Sequence, residues 1–165
     1  MTAPADLSTP RTAHTLDLIR RNRLKILALV EGLSAEQLTT IPPGFRNHML
    51  WNAGHLAVAL QSLCYKMSGL PILLPAEAPA QFGKGTDPSG WGTSTPLPDP
   101  EAVLAWLLPG VEALERDIAR GVFVTYTPYE TSMGNVLTSL PEALDHVLWH
   151  EGLHFGTLLA MRKLV

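Results

Sequence analysis

His150-Glu151-Gly152-Leu153-His154 sets two imidazoles four residues apart inside a stretch rich in helix formers. At about 3.6 residues per turn both rings leave the same helix face, one above the other, so that their neutral nitrogens can share a metal ion. His146 lies one step further back on that stripe. Glu151 projects about 80° from the midpoint of the pair. There it reads either as a general base flanking a metal or as a surface carboxylate. Three imidazoles on one side of an ion would leave coordination positions open, the arrangement of a catalytic rather than a structural site.

His-Glu-x-x-His is also the spacing of the zinc proteases, but its surroundings argue against that chemistry. The eleven residues after His154 contain no Glu, Asp or His, and the longer form of the motif would need Gly and His where Thr157 and Ala160 stand. A third ligand is therefore expected upstream. Besides His146, the candidate is His55 in Trp51-Asn52-Ala53-Gly54-His55. At about 100° per residue, His55 shares a stripe with His48, Asn52, Ala59, Ser62 and Lys66 on an otherwise apolar helix. Such a stripe either faces water or lines a cleft shared with the later histidines. On the last helix, His146, His150 and His154 alternate with apolar residues, as a pocket wall would. Its other side carries Leu148, Trp149, Phe155 and Leu159, which also want burial. Gly152 and Gly156 between them would admit a second helix closely, from this chain or from another copy.

Four helical segments must position these residues. The first runs from about Pro10 to Leu33, with Thr9 as cap and Leu16, Ile19, Leu24, Ile26, Leu27 and Val30 as its apolar face. Ser34-Ala35-Glu36-Gln37 is a capping box for a short turn before Pro42-Pro43-Gly44. The second helix runs from about Asn47 to Ser68 and stops at Gly69-Leu70-Pro71. A long proline- and glycine-rich loop spans 71–100. Asp99 and Pro100 open a third helix that ends near Gly121. Val122–Tyr126 reads as extended loop without a partner strand. Ser139-Leu140-Pro141-Glu142 opens the last helix, which runs to about Leu164. Four helices and no sheet give an all-α, four-helix-bundle reading over a single domain, 1–165.

Composition narrows the function classes. Residues are 46% hydrophobic and 16% charged, yet no apolar run approaches the roughly 20 residues of a membrane span. Met1–Pro10 lacks the pattern of a secretory signal, and the single cysteine, Cys64, fits a reducing cytoplasm. Cys64 falls on the apolar side of its helix, where a buried, inert thiol is expected. The net charge of −3, with acids and bases interspersed, offers no basic patch for nucleic acid.

Trp51-x-x-Gly54-His55 followed by His150-x-x-x-His154-x-Gly156 resembles the DinB and YfiT-like superfamily. The likeness runs through the Ser34–Gln37 turn, Pro42-Pro43-Gly44 and the Phe82-Gly83-Lys84-Gly85 loop. The resemblance implies a four-helix bundle, often a homodimer, in which three histidines from two helices hold a divalent metal, commonly nickel or zinc. Carried onto this chain, the ligands are His55, His150 and His154, with His146 beside them and His48 further off. It also implies a metal-dependent enzyme with a small-molecule substrate. The leading expectation is a transferase joining a low-molecular-weight thiol, such as bacillithiol or mycothiol, to an electrophile. One alternative is a hydrolase using metal-activated water, with Glu151 or His146 relaying the proton. The other is a non-catalytic metal- or ligand-binding dimer. Lys84, Trp91, Tyr126 and Tyr129 are expected substrate contacts from the loops. The chain departs from the pattern His-x-x-x-His-Arg-Gly-Gln of many members. It reads His154-Phe155-Gly156-Thr157, and so lacks a fixed positive charge and an amide beside the metal helix.

Overall fold

Capping side chains and prolines set where each helix begins. Thr9 accepts the Thr12 amide at 3.1 Å and Pro10 fills the first position of α1 (Pro10–Val30). Ser34 and Gln37 form the reciprocal capping box of α2 (Ala35–Thr39). Helix α3 (Met49–Cys64) is capped by an imidazole: His48 Nδ1 accepts the Trp51 amide at 3.0 Å. It passes through a 3₁₀ turn at Lys66–Ser68 and stops at Gly69, whose φ of 73° only glycine adopts readily. Ser139 caps α7 (Leu140–Met161), while Glu142 reaches back past it to the Thr138 amide. The computed structural model describes residues 9–165. The signal-peptide reading of Met1–Pro10 rests largely on residues outside that range.

Three expectations need correction. The third helix is two: α5 (Pro100–Leu104) and α6 (Leu107–Ala119) meet at Ala105-Trp106. Pro109 explains the break, since it has no N–H to give the Ala105 carbonyl four residues back and its ring crowds that carbonyl. The 71–100 segment carries α4 (Ala78–Phe82) and a 3₁₀ turn at Pro88–Gly90. A two-residue antiparallel ladder also forms, β1 (Tyr129–Glu130) on β2 (Val136–Leu137), turned by Gly134 at φ 79°. Val122–Tyr126 remains outside it, without regular secondary structure.

The chain is mostly helical, and α7 packs against both α1 and α3, as does α6. Among the described residues no helix is long and apolar enough to cross a membrane. Two apolar clusters fill the interior. One holds Ile26, Leu50, Leu56, Phe82, Leu107 and Leu158; the other holds Ile19, Leu60, Val111, Leu114, Leu144 and Val147. Leu24 is not part of either and is 48% exposed. Gly152 and Gly156 face open space, with no atom within 4 Å of where a Cβ would sit. Beside them Leu159 is 43% exposed, so among the described residues no helix lies against that side of α7, while Trp149, 44% exposed, turns towards the cleft that holds His146.

Between the two clusters lies a charged layer. Arg23 of α1 and Glu151 of α7 are both 0% exposed. Arg23 Nε and Nη2 meet Glu151 Oε1 at 2.8 and 2.7 Å. Its Nη1 donates to the Leu107 carbonyl at 2.7 Å and its Nη2 to the Leu56 carbonyl at 2.9 Å. One guanidinium thus ties α1 to α7, α6 and α3. Burial pushes the Glu151 carboxyl above its ordinary range, against the pull of Arg23. Replacing Arg23 with Met strands a carboxylate in the core and should lower unfolding free energy by about 3–5 kcal/mol. Arg23→Met with Glu151→Met should recover most of that loss in urea denaturation. Equal losses in single and double variants would refute the pair's coupling.

Candidate metal centre

Of its sixteen residues, α3 leaves only His55, Ala59 and Ser62 incompletely buried. Its polar stripe therefore lies along the one edge that other helices do not cover. The stripe of α7 meets it there. The His55 ring centroid lies 5.1 Å from that of His150 and 5.0 Å from that of His154, and the last two are 4.5 Å apart. One nitrogen from each of the three rings falls within 4.8 Å of the others.

Neighbours fix which nitrogen two of the rings present. His55 Nδ1 donates to the Phe82 carbonyl at 2.7 Å, leaving its Nε2 as the free lone pair. His154 Nδ1 donates to Asn52 Oδ1 at 2.7 Å. Asn52 cannot be reversed without loss, because its Nδ2 donates to the His48 carbonyl at 2.9 Å. Trp51 stacks on the His55 ring at 4.6 Å and 9°, and its Nε1 donates to Thr86 at 2.9 Å. Gly54 lets this happen: a Cβ there would lie 2.2 Å from the Phe82 ring, whose residue supplies the His55 acceptor. The motif Trp51-Asn52-x-Gly54-His55 is thus one ligand, two side chains that orient ligands, and a gap for the aromatic beneath them.

The donor set fits a divalent ion. His154 Nε2 and His150 Nε2 lie 3.1 Å apart. Two imidazoles on one ion with bonds of about 2.0–2.1 Å bring their nitrogens to roughly 3 Å. Without an ion, two lone pairs at that distance repel unless one nitrogen holds a proton. Burial holds His150 down to about 4 and His154 to about 3, with the neighbouring imidazoles adding to the effect. His55 is lowered as well, chiefly by burial. All three are neutral near pH 7, the form that binds metal.

The remaining predicted residues divide. His146 lines the same cleft with its ring 6.1 Å from His150, and burial lowers its pKa. Lys84 and Tyr129 also line it. Glu151 does not reach it. The flanking general base read from the sequence is instead the core partner of Arg23, and the surface-carboxylate alternative fails with it. Trp91 packs on His48 and Phe82, both at 5.0 Å, behind the site. Tyr126 packs in the second apolar cluster, its hydroxyl buried and without a partner among the described residues. His48 is occupied as a cap, held neutral at about 4 by burial. Cys64 is fully buried and burial pushes its thiol up to about 12. Phe82, whose carbonyl orients His55, was missed by sequence reasoning, as was the ligand-orienting role of Asn52. The adjacent Phe82-Gly83 and the place of Asn52 on the histidine stripe were the available signals.

The cleft has a volume of about 520 Å³ and runs from the histidine trio along Ala59 and Ser62 to Lys66. A larger groove of about 670 Å³ between α1, α2 and α5 is lined by none of the histidines. A family model described as the DinB superfamily matches residues 18–158, and the chain belongs to that superfamily. A search of curated proteins found no match.

Two outcomes test this geometry. Gly54→Ala should cost about 1–3 kcal/mol by displacing Phe82, and should weaken metal binding through His55; unchanged values in both thermal melts and metal titration would refute the role of the gap. The metal-free protein should also be acid-sensitive. His48, His150 and His154 have folded values of about 4, 4 and 3, below the unfolded 6.5. Their stability is complete above pH 6.5 and is lost as pH falls from there towards those values. Each contributes at most about 1.4 kcal/mol per pH unit. Chemical denaturation between pH 7.5 and 5 measures the slope, and a flat profile would contradict it.

Proposed function

We propose that this member of the DinB superfamily is a metal-dependent enzyme built on a four-helix bundle, with His55, His150 and His154 as ligands to nickel or zinc. Its reaction is the transfer of a small thiol to an electrophile. The observation that carries the reading is the convergence of three neutral imidazoles, two of them held by orienting hydrogen bonds, at one end of an open cleft. When bound, the ion supplies an open coordination position that makes a thiol or water acidic enough to react near neutral pH.

The chain's own residues supply the rest. Phe82 and Asn52 keep the ligand rings turned, so that binding needs little rearrangement. His146, neutral and within the cleft, takes the proton leaving the thiol. The sulfur then bonds to the electrophilic carbon, and the leaving group departs with the electron pair. Leu63 and Leu153 give the cleft an apolar wall for the electrophile to rest against. Hydrolysis is the weaker reading, because Glu151 is committed to Arg23 and no Asp or Glu among the described residues lines the cleft to activate water. A homodimer through the uncovered side of α7 belongs to the same reading, supported by exposed Leu159 beside Gly152 and Gly156.

Protein purified without a histidine tag should contain close to one divalent ion per chain by elemental analysis. Single Ala substitutions of His55, His150 and His154 should each remove most of it. His146→Ala should retain the metal and slow turnover of a model electrophile in the presence of thiol. Retention of the ion by all three ligand variants would overturn the site. Turnover that needs no thiol would replace transfer by hydrolysis.

A further inference from the structure

The cleft differs in charge from the protein around it. The chain carries 15 acidic and 12 basic residues, for a net charge of −3. Among the described residues, however, no Asp or Glu lines the cleft, while Lys66 and Lys84 both do. Like Lys25 and Lys163, neither is in an ion pair among the described residues, so both ammonium groups are available to a ligand. Here the facing groups are Ser62, Tyr129, Thr131 and Ser132. These hydroxyl groups can hydrogen-bond to an anion without repelling it.

The two lysines also lie at different distances from the histidines. Lys84 is two residues beyond Phe82, whose carbonyl holds His55. Lys66 is eleven residues beyond His55 on the same stripe, roughly 16 Å along the helix at 1.5 Å per residue. The volume of about 520 Å³ between them lies in the range of sites for ligands larger than a simple two-carbon thiol. The middle of the cleft is bordered by Val58 and by Leu153, the latter 51% exposed.

We propose that the cleft binds an elongated organic anion of about tripeptide size, its carboxylates taken by Lys66 and Lys84 while its donor end reaches the histidine trio. On the thiol-transfer reading, on which this rests, the cosubstrate is a polyanionic thiol rather than a neutral one. Lys66 and Lys84, on α3's extension and on the loop, supply positive charge from the wall opposite α7.

The test uses cobalt(II)-loaded full-length protein, whose absorption changes when a thiol sulfur reaches the ion. Three probes are titrated: 2-mercaptoethanol, glutathione, and glutathione with both carboxylates esterified. Glutathione should half-saturate at about three- to tenfold lower concentration than its diester, the range expected of two partly exposed ion pairs. Lys66→Gln and Lys84→Gln should each narrow that ratio, and raised salt should do the same in the unaltered protein. Both lysines are exposed, so neither change should disturb folding; an unchanged cobalt spectrum before thiol addition checks this. Equal half-saturation by glutathione and its diester would overturn the proposal, as would a ratio unmoved in both variants. A response to 2-mercaptoethanol with none to either tripeptide would overturn the proposed ligand size. Silence towards all three thiols would refute the transferase reading itself, and the proposal with it.

Discussion

A buried guanidinium–carboxylate pair sits where a helical protein of this size would ordinarily place leucines. Removing two charges from water is costly, and their mutual attraction repays that only when geometry and further hydrogen bonds are good. Here Arg23 donates to one carboxylate oxygen and to two helix carbonyls. The carbonyls belong to Leu56 and Leu107, and the carboxylate is that of Glu151. Leu56 is the neighbour of His55, and Glu151 is the neighbour of His150. Apolar packing tolerates small slides and rotations of one helix past another. A three-way polar contact does not. With Glu151 drawn into the core, α7 is held at the rotation that turns His150 and His154 towards α3. The charged layer is accordingly best understood as setting register, with net stability a secondary matter.

The metal-ligand geometry extends that logic to single atoms. Each oriented ring has its Nδ1 proton spoken for by an acceptor that is itself fixed, one by the helix of Phe82 and one by the amide of Asn52. This leaves Nε2 atoms aimed at a common point. Depressed pKa values follow from the same burial, so that the ligands need not shed protons before they coordinate. The cost is an apo state in which like groups face one another.

Much of the site was legible because helical periodicity is rigid. His150 and His154 had to share a face, and His55, Ala59, Ser62 and Lys66 had to form a line, whereas His48 left it to cap the helix. What that line faced was not legible, since water and a cleft select similar residues. The Arg23–Glu151 pair escaped for a related reason. Arg20-Arg21-Asn22-Arg23-Leu24-Lys25 reads as a solvated run, and hydropathy favours burying Leu24. The structure buries Arg23 and exposes Leu24. The signal was in the spacing: Leu16, Ile19, Arg23, Ile26 and Val30 form one stripe, with the arginine in its centre. The split of the third helix was encoded in Pro109, but a proline in the first turn of a restarted helix looks like one inside a continuous one. The short hairpin has two residues per strand, too few for any alternation to register.

Cys64 gives the design one last consequence. It is the chain's single cysteine, fully buried in the apolar cluster that also holds Leu60, Val111 and Phe123, with the thiol held protonated. A reactive thiol of the chain's own would compete with outside ligands for any ion held by the three imidazoles. Walling it off removes that hazard. Any sulfhydryl that arrives at the imidazoles must come from outside the chain.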